Sequence, residues 1–334
     1  MKKYNIPIFV PHKGCPYDCV FCNQRRITGH IRPTEPDEVT EIIERHLGTI
    51  PAGSSVEAAF FGGSFTGIPI SEQSALMERV QPYIESGRIE GIRLSTRPDY
   101  INDEILTNLK HYNVTTVELG VQSMSDSVLR SANRGHTRAD AETAARLIKE
   151  YKIGLGLQMM TGLPGDTDDI AIDTATRIIA LRPDCVRIYP TLVIKDTYLE
   201  DLYRAGRYMP QTVDEAAELA AELIVMFENA GISVIRVGLQ PTDEINAGAS
   251  VVAGPFHPAF GELAESAVYY NLARAELDGA ESDAVIYVNP REVSKMTGNR
   301  RRNIARFKDE LGINVKIQTD ESLKVREIKI GRLL

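Results

Sequence analysis

Between Ile6 and about Arg236 the chain alternates short apolar segments with longer amphipathic ones, and no other feature constrains its fold as strongly. Ile6–Val10, Val56–Phe61, Gly91–Ser95, Thr115–Gly120, Ile153–Met159 and Asp184–Ile188 are each five to seven residues long and rich in β-branched or aromatic side chains, which predicts strands. Pro36–Leu47, Glu72–Ile84, Asn102–His111, Arg138–Tyr151 and Asp168–Leu181 carry helical periodicity. In the first of these Val39, Ile42, Ile43 and Leu47 share a face, and Thr34 stands where an N-cap belongs. Strands joined through helices pair in parallel, because each return to the sheet needs a long crossover. Six such repeats predict a partial (β/α)6 TIM-like barrel, followed by a helix at Val213–Ala230 and a strand at Val234–Val237.

After about Asp243 the pattern breaks into a stretch of small residues and then a short α+β segment, which divides the chain into a barrel at 1–245 and an extension at 246–334. With 43% hydrophobic and 25% charged residues the composition is that of a folded globular protein. No apolar run reaches the roughly 20 residues that a membrane-spanning helix needs. Met1–Val10 is too short, and too soon followed by Pro11-His12-Lys13, to read as a secretory signal, so the expectation is a cytoplasmic protein without a membrane partner.

All the unusual loops follow predicted strands, where parallel barrels keep their reactive groups. The first holds Cys15, Cys19 and Cys22, three of four cysteines, in a Cys-x3-Cys-x2-Cys pattern. The fourth, Cys185, falls within a predicted buried strand and reads as structural. A structural zinc would need a fourth ligand, and only His12 and His30 stand near, at no usual finger spacing. Four-cysteine clusters are the common iron–sulfur arrangement; three thiolates leave one iron of a cubane open for chemistry.

This loop resembles the signature of the radical S-adenosylmethionine (SAM) superfamily. The resemblance implies a 4Fe–4S cluster on Cys15, Cys19 and Cys22, with SAM chelating the open iron and Phe21 packing near its adenine. It further implies reductive cleavage of SAM to a 5′-deoxyadenosyl radical, with the electron supplied by an external low-potential donor such as flavodoxin or ferredoxin. Gly62, Gly63 and Ser64 occupy the place of the superfamily's Gly-Gly-Glu-like loop, where glycines let backbone approach the methionine amino group. Serine here replaces the glutamate.

The resemblance narrows through Ser95-Thr96-Arg97-Pro98-Asp99-Tyr100, Val117 to Ser123, Asn133-Arg134-Gly135-His136-Thr137 and Ile188 to Ile194, with Gly206-Arg207-Tyr208 beyond. These are similar to the radical SAM domain of the Elongator catalytic subunit, an enzyme of transfer-RNA wobble uridine. By that likeness Thr96, Arg97 and Gln122 bind the ribose and carboxylate of SAM, and Arg97 or Arg134 pairs with the carboxylate. His136 would donate a proton or bind substrate; as residues alone, His136 and Arg134 also read as structural hydrogen-bonding groups. That relative carries a fused acetyltransferase domain, for which the roughly 90 residues after 245 are too few, so its acetyl-CoA reaction is not carried across.

From Arg291 to Leu334 there are 12 Lys and Arg against 6 Asp and Glu, whereas the rest of the chain has 26 against 40. Met296 to Ile304, with Gly298 opening a run of Arg300, Arg301 and Arg302, resembles a KH-type module, which implies RNA contact through Gly298 and the three arginines. A solvated helix face is the plain alternative. His257 and Glu262, in the loop–helix stretch before it, are candidates to touch substrate. The leading expectation is a radical SAM enzyme that modifies a nucleotide of tRNA or rRNA. The alternatives are a small-molecule oxidoreductase resembling coproporphyrinogen oxidase, and a non-enzymatic iron–sulfur RNA-binding sensor.

Overall fold

The computed structural model describes residues 2–10, 15, 19–23, 34–240, 245, 249–277, 279 and 282–332. The six expected strands form, as β1 (Lys3–Phe9), β2 (Ser55–Phe61), β3 (Gly91–Thr96), β4 (Val114–Gln122), β5 (Gly154–Thr161) and β6 (Cys185–Pro190). A two-residue strand, β7 (Val193–Ile194), stands apart, and β8 (Ser233–Val237) extends the sheet to seven strands in the order β1-β2-β3-β4-β5-β6-β8. Every pairing in that sheet is parallel. The result is a half-barrel of the expected type.

Alternation along each strand separates the two faces of this sheet. Ile6, Ile8, Ala58, Phe60, Ile92, Leu94, Val117, Leu119, Leu155, Leu157, Val186 and Ile188 join the main apolar core beneath the helices. Their neighbours Glu57, Arg93, Glu118, Gly120, Gly156, Gln158 and Arg187 alternate to the other, concave face, where Glu118 accepts from Arg93, Gln158 and Arg187. A fully apolar strand would bury both faces. Here the polar alternation keeps one face open as a bowl.

The expected helices form, joined by two unexpected short ones at Asp126–Ser131 and Tyr198–Arg204, and two local details differ. The Glu72–Ile84 pattern divides into Ile70–Glu78 and Gln81–Glu85, because Pro82 lacks the N–H that a continuous helix would use. Thr34 does not cap the Pro36–Leu47 helix. Its hydroxyl donates to the Phe9 carbonyl (2.7 Å), and the Glu35 N–H is taken by the Glu38 carboxylate (2.9 Å).

Beyond the barrel, β9 (Val251–Ala253) pairs with β7, and β10 (Ala284–Val288) lies between β11 (Val315–Thr319) and β12 (Ile328–Arg332). β10 runs parallel to β11 and antiparallel to β12. Helices Val293–Thr297 and Arg302–Leu311 connect β10 to β11, giving the extension its α+β character. The Phe260–Leu277 helix serves both parts: Phe260, Ala264, Ala267 and Val268 enter the barrel core, whereas Tyr269, Tyr270, Ala273 and Leu277 enter the extension's core.

Candidate active site

The cysteine loop is pinned to the mouth of the bowl by an apolar residue between its thiols. Val20 is buried with Val128, Ala132, Leu163, Val193 and Leu199, and Phe21 packs against the same cluster. The Val20 N–H donates to Ala132 (3.1 Å), and the Val20 carbonyl accepts from Leu199 (2.8 Å). Cys19 is buried, while Cys15 and Cys22 are half-buried. The Cys22 N–H donates to the Cys19 carbonyl (3.0 Å), closing a turn that brings these two residues together. His12 and His30, the only ligands considered for a zinc, lie outside the described residues.

Three further loops converge on the thiols. After β2, Gly62 takes a left-handed φ of 96°, which turns the chain so that the Ser64 N–H meets the Cys15 sulfur. Ser64 is buried; its hydroxyl lies 2.9 Å from that of Thr96 and accepts from the Arg97 N–H (3.3 Å). Burial pushes the Cys15 thiol up, and the guanidiniums of Arg134 and Arg97 oppose that rise. Arg97 is 2% exposed and holds Asp99 through two bonds of 2.9 Å. Arg134 donates to Cys19 Sγ (3.4 Å) and to the Gly120 carbonyl (2.7 Å).

At the end of β4 the pairing with β5 skips Val121, and Gln122 adopts a φ of 67°. A side chain at Gly120 would collide with Arg134 Nη2 at 2.7 Å and Gln122 Nε2 at 2.9 Å, so the absent Cβ lets both groups meet there. His136 is buried, with Nε2 3.1 Å from the Val121 carbonyl. Burial first, then Arg134 and Arg97, push its pKa down to about 4, which leaves it neutral and unable to supply a proton as an imidazolium at neutral pH.

Cys15, Cys19, Ser64, Thr96, Arg97, Arg134, Gln122 and His136 are thus brought into one neighbourhood. His257 is not joined to it by any described contact. Its Nδ1 accepts from the Ala259 N–H (3.1 Å), and it lines a small cavity with Pro190, Leu192, Gly238 and Phe260. In the extension, Gly298 has a φ of 78° and lies tight against Asn303 and Ser266. Arg300 and Arg301 are exposed, but Arg302 is ion-paired with Asp214 of the barrel.

Sequence reading passed over a charged network on the bowl floor. Glu118, 1% exposed, accepts from Arg93 (2.9 Å), from Arg187 (2.5 and 3.0 Å) and from Gln158 (3.1 Å), and Arg93 also holds Glu57 (2.9 Å). The available signal was four charged or amide side chains at alternate positions of otherwise apolar strands.

The donor set at the mouth fits an iron–sulfur cubane with a polar ligand beside it. Among the described residues no three His, Cys, Asp or Glu side chains converge on a point that one ion could share, whereas in a cubane each thiolate takes a different iron. Guanidiniums stand ready to compensate thiolate charge. Among the described residues, Arg134 Nε, Gln122 Oε1 and His136 Nδ1 are buried without hydrogen-bond partners, and such atoms mark where a polar ligand would be received.

A family profile described as the Radical SAM superfamily matches residues 9–178, and one described as the Radical_SAM C-terminal domain matches residues 183–270. Elongator complex protein 3 of Homo sapiens is 35% identical over 139 residues, 41% of this chain and 25% of that protein. The tRNA uridine(34) acetyltransferase of Methanocaldococcus jannaschii is 28% identical over 186 residues, 50% of this chain and 34% of that one. The chain therefore matches only a quarter to a third of these relatives' length. Among solved structures, Methanocaldococcus infernus Elp3 with an N-terminal deletion superposes with a TM-score of 0.64 at 22% identity, covering 82% of this chain and 63% of that one. Streptococcus suis SuiB gives 0.51 at 11% identity, covering 73% and 50%. Both show the same fold. No described helix is long and apolar enough to cross a membrane.

Proposed function

The chain belongs to the radical SAM superfamily, and from that premise we propose that it modifies a nucleotide in tRNA or rRNA. Enzymes of this family use a 4Fe–4S cluster and SAM, which when bound supply a one-electron route to hydrogen abstraction from an unactivated C–H bond. In the proposal Cys15, Cys19 and Cys22 hold the cluster. Arg134 stabilises the Cys19 thiolate, and its unpartnered Nε, with Gln122, receives the polar end of SAM. Ser64 and Thr96, locked together, set the glycine loop. Phe21 and Val20 keep water from the cluster side. His136, neutral with its Nδ1 open, accepts a hydrogen bond rather than giving a proton. An external low-potential protein such as flavodoxin or ferredoxin supplies the electron.

The RNA substrate rests on one observation above all: Arg300 and Arg301 hold consecutive left-handed φ values of 50° and 62°. That conformation is unfavourable for side-chain-bearing residues, and strain of this kind is kept where it displays groups for binding. Both guanidiniums are exposed at the turn between two helices, where a KH-type loop would clamp a nucleotide backbone. The tRNA-modifying activity in the names of the relatives points the same way.

The test is anaerobic incubation of the reconstituted protein with SAM and dithionite, following 5′-deoxyadenosine with and without total cellular RNA. Product is expected to rise with RNA. In the Arg300→Ala/Arg301→Ala variant RNA affinity should fall and the slope of log affinity against log salt should flatten by up to about 2, near one for each phosphate no longer neutralised. Product indifferent to RNA would overturn the RNA reading in favour of a small-molecule substrate.

A further inference from the structure

One cation on the concave face has no acidic partner among the described residues, and its placement requires an irregular strand. The register aligns Gly120 with Gln158, Gln158 with Arg187, and Arg187 with Arg236, forming a row across β4, β5, β6 and β8. Between Val186 and Arg187 the pairing with β8 skips Ile235. Val234 and Val237 both pack against the apolar core beneath the helices. In a regular strand Arg236 would share the face of Val234; the extra residue turns it to the concave side instead.

Two arginines opposite one another on neighbouring strands repel, and a fold gains nothing from them alone. Glu118 and Glu57 neutralise Arg187 and Arg93. Among the described residues no carboxylate pairs with the half-buried Arg236. Tyr189, two residues after Arg187 on β6, is the next residue of that strand on the concave side. Arg187 also lies 5.7 Å from the centre of the Phe61 ring, directly before the Gly62-Gly63 turn. At the other end of the row, the Gly120 carbonyl takes the guanidinium of Arg134. Three strand spacings, roughly 14 Å, separate that carbonyl from Arg236.

We propose that Arg236, with Arg187 and the Tyr189 hydroxyl, forms an oxyanion site inside the bowl that holds a phosphate group of the nucleotide being modified. A guanidinium offers paired N–H donors matched to phosphate, and a bound oxyanion converts the repulsion between the arginines into a shared attraction. The identity of the oxyanion rests on the RNA reading; the existence of the site does not. The Arg300–Arg301 loop would grip the RNA at a distance, while this site would fix the one nucleotide that enters.

The experiment is thermal unfolding of the cluster-loaded protein, kept anaerobic, with inorganic phosphate, uridine 5′-monophosphate, uridine or acetate at ionic strength matched with sodium chloride. Phosphate and the monophosphate are expected to raise the midpoint, and uridine and acetate are not. Arg236→Gln should weaken phosphate binding about tenfold while cluster absorbance stays intact, the effect of removing one charge-assisted hydrogen bond. Arg207→Gln, at an exposed arginine outside the bowl, should behave as the parent. No phosphate effect in the parent protein, or an equal effect in Arg236→Gln, would overturn the site. Stabilisation by acetate equal to that by phosphate would overturn the nucleotide assignment in favour of a carboxylate substrate. RNA affinity of the same proteins, read separately, shows whether the site or the RNA reading has failed.

Discussion

A carboxylate that is 1% exposed stays ionised only if cations replace the water it has lost, and Glu118 has Arg93 and Arg187 for that purpose. Removing its charge leaves Arg187 without a carboxylate partner and Arg93 with Glu57 alone. Glu118→Gln should therefore cost about 3 kcal/mol, the lower end for breaking a buried pair from one side. Urea unfolding measures this; a change below about 1 kcal/mol, the usual value for an exposed pair, would show that water screens the network. The thiols make a second residue-scale prediction. Ala in place of Cys15, Cys19 or Cys22 should each abolish the visible absorbance of the reconstituted cluster, and retention in all three would remove the ligand assignment. The cysteines were legible because their spacing is covalent. Glu118, Arg93, Gln158 and Arg187 were not, because only the register of four strands reveals that they touch.

At the scale of single elements, the loop after β5 carries a charge in an unfavourable place. Asp166 accepts from the Gly162 N–H (3.0 Å), and Tyr208 donates to the Gly162 carbonyl (2.6 Å). Burial, aided by Asp168, raises the Asp166 carboxyl to about 6 despite the N–H groups that favour its charge. A pKa raised on folding means the folded state holds the proton more tightly than the unfolded chain does. The stabilisation is complete below about pH 4 and lost as pH rises through about 6. Asp166→Asn keeps the acceptor for Gly162 and removes the charge, so it should be about 1–2 kcal/mol more stable than the parent at pH 7 and no more stable at pH 4. Denaturation curves at the two pH values decide it; an advantage independent of pH would exclude titration of Asp166 as the cause. The strands and helices themselves were legible from their periodicity. The skipped residues at Val121 and Ile235 were not, since a bulge appears only when a strand is laid against its neighbour.

For the molecule as a whole, the extension is built into the barrel. The Phe260–Leu277 helix places its first half in one apolar core and its second half in the other. Arg302 pairs with Asp214, Arg306 with Glu218 (2.6 Å), and Arg326 bridges Glu228 and Glu265 (2.8 Å each). Three of the tail's twelve basic residues thus answer acids of the barrel side, and the positive excess of the tail is partly neutralised within the fold. No sequence pattern announces such pairs, which join residues about 60 to 100 positions apart. A helix shared in this way cannot lose one core and keep the other intact. Phe307 is fully buried in the smaller core against Tyr270, with ring centres 4.8 Å apart. Phe307→Ala should cost about 3–5 kcal/mol. Because the helix couples the two cores, that loss should lower the unfolding temperature of the entire described fold in a single calorimetric transition. The barrel would unfold with the extension, and the cluster's absorbance would disappear over the same interval. An early, separate transition for the extension, with the absorbance persisting to the parent's temperature, would show that the helix does not couple them and that the extension moves as an independent module.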